Sequence, residues 1–183
     1  RSLIPFGCRI ALLGRTEIEN EPAGAGRAEE TRALLAELKS AGIKASYHVC
    51  DVADAAQVGP TLASIARRWG RITGVVHGAG ILRDNFVPGI SAADFAAVTA
   101  VKLQGALNLS AAAGRGLRFF VAVSSVAAAN GNPGQANYAA ANRAMTAFVE
   151  GMAARCPNIR CRCLLLAPVE GGGMADTEEL RAL

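Results

Sequence analysis

Five short runs of nearly continuous apolar residues, each parted from the next by a segment of helical length, constrain this chain more than any other feature. They lie at 8–13 (CRIALL), 45–50, 71–77, 118–124 and 160–167. A strand with one wet face alternates apolar and polar residues, whereas a strand covered on both faces does not. The segments between them carry helical spacing. Residues 27–40 put Leu34, Leu35 and Leu38 on one face and stop at Gly42; Asp54 reads as an N-cap for Val58, Leu62, Ile65 and Trp69. Ser91, with Asp94 three residues on, opens a long helix to about residue 113, and 135–155 forms another. This alternation predicts a doubly wound α/β fold, a parallel sheet whose ligand sits at the C-terminal ends of its strands.

Length and charge narrow the class. At 183 residues the chain is one domain by size, with 51% hydrophobic and 19% charged residues spread in segments, as in a soluble globular protein. No run approaches the roughly 20 apolar residues of a membrane span, and the opening RSLIPFG has no signal-peptide core, which predicts a cytoplasmic protein unless the chain is a piece of something longer. The net charge of +4 comes from scattered arginines, so neither nucleic acid nor membrane is an expected partner. Cys8, Cys50, Cys156, Cys161 and Cys163 form no CxxC and read as free thiols; His48 and His77 lack a second ligand at metal spacing and read as core or strand-end histidines, so no metal site is expected.

The strand ends carry the chemistry. Arg15 follows the first strand and Gly14, where a nucleotide fold holds the adenosine ribose; an arginine there suits a 2′-phosphate, and equally a solvated loop. Asp51, followed by Val52, either accepts from an adenine amino group or caps the turn into the next helix. Gly78-Ala79-Gly80 lets backbone approach a flat ligand, as any small-residue turn would. Ser125 ends the fourth strand, and thirteen residues on, past the turn 130–134 (NGNPG), a helix presents Tyr138. A free phenol titrates near about 10, so near neutrality it holds a proton to donate, and a nearby ammonium eases the donation. Asn142 lies one helical turn past Tyr138, and Lys102 is the one lysine of three placed in a helix between site-bearing strands. Singly, each is equally well a buried tyrosine, a strand-end serine or a snorkelling lysine.

From residue 6 to 183 the chain resembles the ketoreductase domains of polyketide and polyunsaturated fatty acid synthases, a branch of the short-chain dehydrogenase/reductases. The matching words are LLGRT, the DV of CDVAD, VVHGAGILRD, VKLQGALNL, VSSVAAANGNPGQANYAAAN and EGGGM. Ordinary members of the superfamily carry lysine four residues after the tyrosine and asparagine on the earlier helix; synthase ketoreductases usually exchange the two, and Asn142 with Lys102 is the exchanged form. The resemblance implies that Tyr138 donates the proton, Ser125 binds the ketone oxygen, Lys102 tunes the tyrosine and Asn142 supports the site and its proton relay. It further implies that Arg15 and Asp51 bind the adenosine half of NADPH, and that Val52 and Gly78-Ala79-Gly80 line the cofactor. The implied substrate is a β-ketoacyl chain on acyl carrier protein, with other domains of a megasynthase as partners. Asn130 in place of a tryptophan, and Leu82-Arg83-Asp84 in place of an LDD word, lean towards a D-hydroxyl product.

One part of the family pattern is missing. No strand and Gly-rich loop precede residues 8–13, and Ala23-Gly24-Ala25-Gly26 lies in the wrong place for that loop. A skip of residues is therefore expected near 5–6, and a smaller one near 167–168. Two alternatives remain at this point: a free-standing short-chain dehydrogenase acting on a small carbonyl, and a catalytically inactive ketoreductase-like module.

Overall fold

The computed structural model describes residues 7–19 and 26–167. The expectations at 5–6, 23–25, 167–168 and 168–183 fall on or border residues outside those described. Strand β1 (Arg9–Gly14) leads through helix α1 (Gly26–Ser40) to β2 (Lys44–Val49), and the two strands pair in parallel, Arg9 opposite Lys44 and Gly14 opposite Val49. Helix α2 (Ala55–Trp69) follows, then β3 (Gly74–His77). Strands β4 (Phe119–Ser125) and β5 (Arg160–Leu166) complete a second parallel ladder in the order β3-β4-β5.

Local sequence explains most boundaries. Asp54 caps α2 by accepting from the Ala56 N–H at 2.8 Å, and Gly70, at φ 86°, closes it. Val58, Leu62 and Ile65 then fall on the buried face. Ser91 caps α3 (Ala92–Thr99): its Oγ accepts from the Asp94 N–H at 3.0 Å while its hydroxyl donates to the Asp94 carboxylate. A short helix, α5 (Ala127–Asn130), occupies the turn ahead of the 20-residue α6 (Ala136–Arg155). The core gathers Val58, Val75, Ala106, Phe120, Met145 and Val149 between these helices and the sheet. All five cysteines are free thiols, and no described helix is long and apolar enough to cross a membrane.

The structure adds three details to the expected elements. The parallel sheet of the expected doubly wound fold is described as two ladders, β1-β2 and β3-β4-β5, with no strand pairing between them among the described residues. The long helix expected from Ser91 to residue 113 runs without a break from Ala92, as α3, a π-wound turn Ala100–Gln104, and α4 (Gly105–Ala113). The leucine stripe of α1 is poorly covered, with Ala28 its buried residue and Leu34 43% exposed, because a two-strand ladder offers that helix little surface. The second ladder likewise packs only one face among the described residues. Phe120, Ala122 and Ser124 point into the core, while Phe119 and Leu164, on the opposite face, are exposed.

Candidate active site

The second ladder brings the catalytic candidates to one place. Ser125 ends β4, and its Oγ accepts from the Ala127 N–H at 3.2 Å, which leaves the hydroxyl proton to be donated elsewhere. Tyr138 stands in the first turn of α6, which packs on β4 and on the π turn; its hydroxyl makes no hydrogen bond among the described residues. Lys102 comes from the π turn, 2% exposed. Its Nζ donates to the Val123 carbonyl at 3.0 Å, two residues before Ser125, and lies 5.9 Å from the Tyr138 ring centroid. Burial pushes its pKa down to about 8, opposed by the nearby Cys163 thiol.

Asn142 is fully buried and turned inward along α6. Its Nδ2 donates to the Tyr138 carbonyl at 2.9 Å, and its Oδ1 has no partner among the described residues. Below it a run of bonds ties helix to strand. Thr146 donates to the Asn142 carbonyl at 2.9 Å, so the Ser124 hydroxyl is the donor in its 3.1 Å bond to Thr146 Oγ1. The residue before Ser125 thus anchors the helix that carries Tyr138. Ahead of the tyrosine, Asn137 Nδ2 donates to the Arg83 carbonyl at 2.7 Å, Gln135 Nε2 to the Asp84 carboxylate at 2.7 Å, and the Asn85 N–H to the Gly134 carbonyl at 2.8 Å. Neither Thr146 nor Asn137 was singled out by spacing; both act through bonds between distant segments.

His77, read from sequence as a core residue, is buried at the last position of β3. Its Nε2 meets the Lys102 carbonyl at 3.0 Å. Burial is the chief reason its pKa is lowered. A Cβ at Gly105 would come within 3.0 Å of Val52 Cγ2 and 3.1 Å of His77 Cε1, a tight fit that would press those side chains back by a few tenths of an ångström. The same loop is held by Asn108 of α4, whose Nδ2 donates to the Val52 carbonyl at 2.9 Å.

The cofactor candidates divide between the ladders. Asp51 is occupied by its own turn, its Oδ1 accepting from the Ala53 N–H at 2.9 Å, which is the capping alternative of the two roles open for it. Gly78 needs no special backbone angle; a Cβ there would meet Val123 Cγ2 at an ordinary 3.9 Å. Ala79 packs against the core, and Gly80 follows in the same extended loop. Arg15 lies beyond β1 at a cavity of ≈ 420 Å³ together with Thr16, Arg27, Thr31 and Tyr47. Tyr47 donates to the Thr16 carbonyl at 2.8 Å across Gly14, where a Cβ would strike its hydroxyl at 2.5 Å. Among the described residues neither Arg15 nor Arg27 is in an ion pair. Two unpaired guanidinium groups beside a hydroxyl fit a phosphate dianion; Arg27, at the start of α1, was not among the expected residues.

Parallel strands linked by crossover helices, with a serine at a strand end and a tyrosine on the following helix, define a Rossmann-type fold of the short-chain dehydrogenase/reductase kind. The KR domain model matches residues 7–159, and the chain belongs to that family, the ketoreductase domains of polyketide synthases. The reducing polyketide synthase PKS1 of Cochliobolus heterostrophus is 42% identical over 147 residues, 80% of this chain and 6% of that protein. A polyunsaturated fatty acid synthase polypeptide from Thraustochytrium sp. is 34% identical over 78% of this chain and 5% of its own length. The chain thus spans a small fraction of the curated relatives it matches. Among solved structures, a ketoreductase domain from the bacillaene assembly line aligns with TM-score 0.81 and 30% identity, over 99% of this chain and 43% of that one.

Proposed function

We propose that this chain is the catalytic part of a ketoreductase that reduces the β-ketone of an acyl chain tethered to acyl carrier protein, with NADPH as reductant and other domains of a synthase as neighbours. The observation that carries the reading is Lys102. A pKa brought from 10.5 to about 8 corresponds to about 3 kcal/mol against holding the charge. No carboxylate partner among the described residues offsets that penalty, yet the ammonium is kept 5.9 Å from the Tyr138 ring centroid. A charge maintained against its own desolvation beside a phenol is suited to stabilise the phenolate left when the phenol gives up its proton.

The remaining roles follow from the bonds described. Ser125, with its hydroxyl proton unspent on the protein, donates to the ketone oxygen and steadies the negative charge that develops there. Tyr138 donates its phenolic proton to the same oxygen. Asn142 holds the Tyr138 carbonyl, and Thr146 with Ser124 sets the height of α6 against β4, so that hydroxyl and phenol converge. Arg15, Thr16 and Arg27 hold the 2′-phosphate, while Val52 and Gly78-Ala79-Gly80 line the rest of the cofactor, with Asp51 shaping its turn. When bound, NADPH supplies the hydride; the protein's part is alignment and charge.

The test is NADPH oxidation by the complete ketoreductase domain with a β-ketoacyl thioester, presented on acyl carrier protein and as a short mimic. Tyr138→Phe should lower kcat by about 10²–10⁴-fold with cofactor binding retained. Turnover persisting in that variant removes Tyr138 as the donor. Faster turnover of a small free ketone than of the thioester overturns the synthase assignment.

A further inference from the structure

Lys102 sits in the middle of the π turn, where the helix is wound more widely than on either side. The Gly105 N–H is divided between the Ala100 carbonyl, the i−5 bond that marks π winding, and the Lys102 carbonyl. A second group takes hold of that carbonyl from outside the helix: His77 Nε2, at 3.0 Å, from the end of β3. Carbonyl oxygen only accepts, so Nε2 carries the proton, and burial, which lowers the His77 pKa, favours the neutral form over imidazolium. Gly105 leaves room for the approach, since a Cβ there would sit 3.1 Å from His77 Cε1 and crowd the ring. Histidine and lysine are 1% and 2% exposed, so the bond is shielded from competing water.

We propose that His77 is a positioning residue for the reduction: by holding the Lys102 main-chain carbonyl, it sets how far the Lys102 ammonium reaches from the π turn towards Tyr138. The proposal rests on the reading of Lys102 and Tyr138 given above, and it assigns His77 no contact with substrate. One end of Lys102 is fixed at its carbonyl by β3, and the other at Nζ by the Val123 carbonyl of β4. The side chain is therefore stretched between two neighbouring strands of one ladder, and its distance from the phenol follows from their spacing. The titratable groups facing Lys102 are Cys163 from β5, Tyr138 from α6 and His77 itself.

Replacing His77 by leucine removes the donor, and replacing it by glutamine returns an N–H at about the same reach. In the complete ketoreductase domain, His77→Leu should lower kcat about tenfold or more, leave the NADPH dissociation constant within about twofold, and shift the pH profile of kcat; His77→Gln should restore both rate and profile. The Lys102 titration midpoint, followed by NMR of its labelled side chain, should move in His77→Leu and return in His77→Gln. That readout does not depend on turnover. If the domain proves inactive but the midpoint moves as stated, the coupling holds and the functional reading falls. An unmoved midpoint in a folded His77→Leu variant overturns the proposal, as do equal losses in both variants that track thermal stability alone.

Discussion

The ladder β3-β4-β5 and the ladder β1-β2 are built to different standards, and the difference separates two parts of the chemistry. On the first, α6 contributes seven buried residues; Ser124 bonds to Thr146 across strand and helix, Lys102 reaches the Val123 carbonyl of β4, and Asn142 and Thr146 bond back to α6 carbonyls. On the second, α1 buries Ala28, and the residues proposed to hold the cofactor phosphate, Arg15 and Arg27, are exposed and in no ion pair among the described residues. An acid must be held to a fraction of an ångström before substrate arrives, so its surroundings are packed in advance. A phosphate clamp works by charge at a rim and tolerates looser support.

Substitutions that load one ladder but not the other sharpen the contrast. The largest effect belongs to Lys102→Met, which keeps the volume and removes the charge: kcat should fall about hundredfold. The fold should nevertheless gain about 1–2 kcal/mol at pH 7, because about 3 kcal/mol of desolvation exceeds the hydrogen bond lost at Val123. The sign with pH follows from a lysine whose folded pKa lies below its unfolded one. The unfolded chain holds more protons between pH 8 and 10.5, so the parent's stability rises across that window and the advantage of the variant shrinks. Urea unfolding at pH 7 and pH 10 checks this, and a variant less stable at pH 7 would refute the buried-charge argument.

Arg15→Ala acts on the other ladder. NADPH should bind about tenfold more weakly and NADH unchanged, with kcat at saturation preserved. Fluorescence titration with both cofactors decides it; equal loss for both would mean that Arg15 does not meet the 2′-phosphate. The smallest effect is expected at Leu34→Gln, within about 0.5 kcal/mol by urea unfolding, because the side chain is already 43% exposed. A loss of about 2 kcal/mol or more would show that α1 is covered after all, and the two ladders would then be less unlike than they look.

What could be read from sequence, and what could not, follows the range of the interactions. Strands and helices were legible because burial imposes a period, and the caps at Asp54 and Ser91 because a cap is a contact over three residues. The quartet of Ser125, Tyr138, Lys102 and Asn142 was legible through its resemblance to a family, and the structure sets all four around Val123, the end of β4 and the first turns of α6. The π turn was not legible. Ala100–Gln104 has ordinary helical propensity, and its wide winding goes with a bond from a histidine 25 residues earlier. Asn108, Thr146 and Asn137 were missed for the same reason, each polar group being satisfied by a distant backbone or side chain. Two roles are open to Asp51 in the sequence, and the folded structure adds a bond from the Ala53 N–H to its Oδ1.

The clasp between Arg83, Asp84, Asn85 and the segment Gly134 to Asn137 has a consequence for recombination. Helix α6 has no side-chain cap at Gln135; instead the start of the helix is fastened to the loop after β3 by three hydrogen bonds. Loop and helix start therefore behave as a single heritable part. A loop exchanged alone would put Gln135 and Asn137 at risk of losing their partners at Asp84 and Arg83. Carrying the two segments together keeps the acid in register while the loop varies, so the natural splice points are before Leu82 and after Asn137.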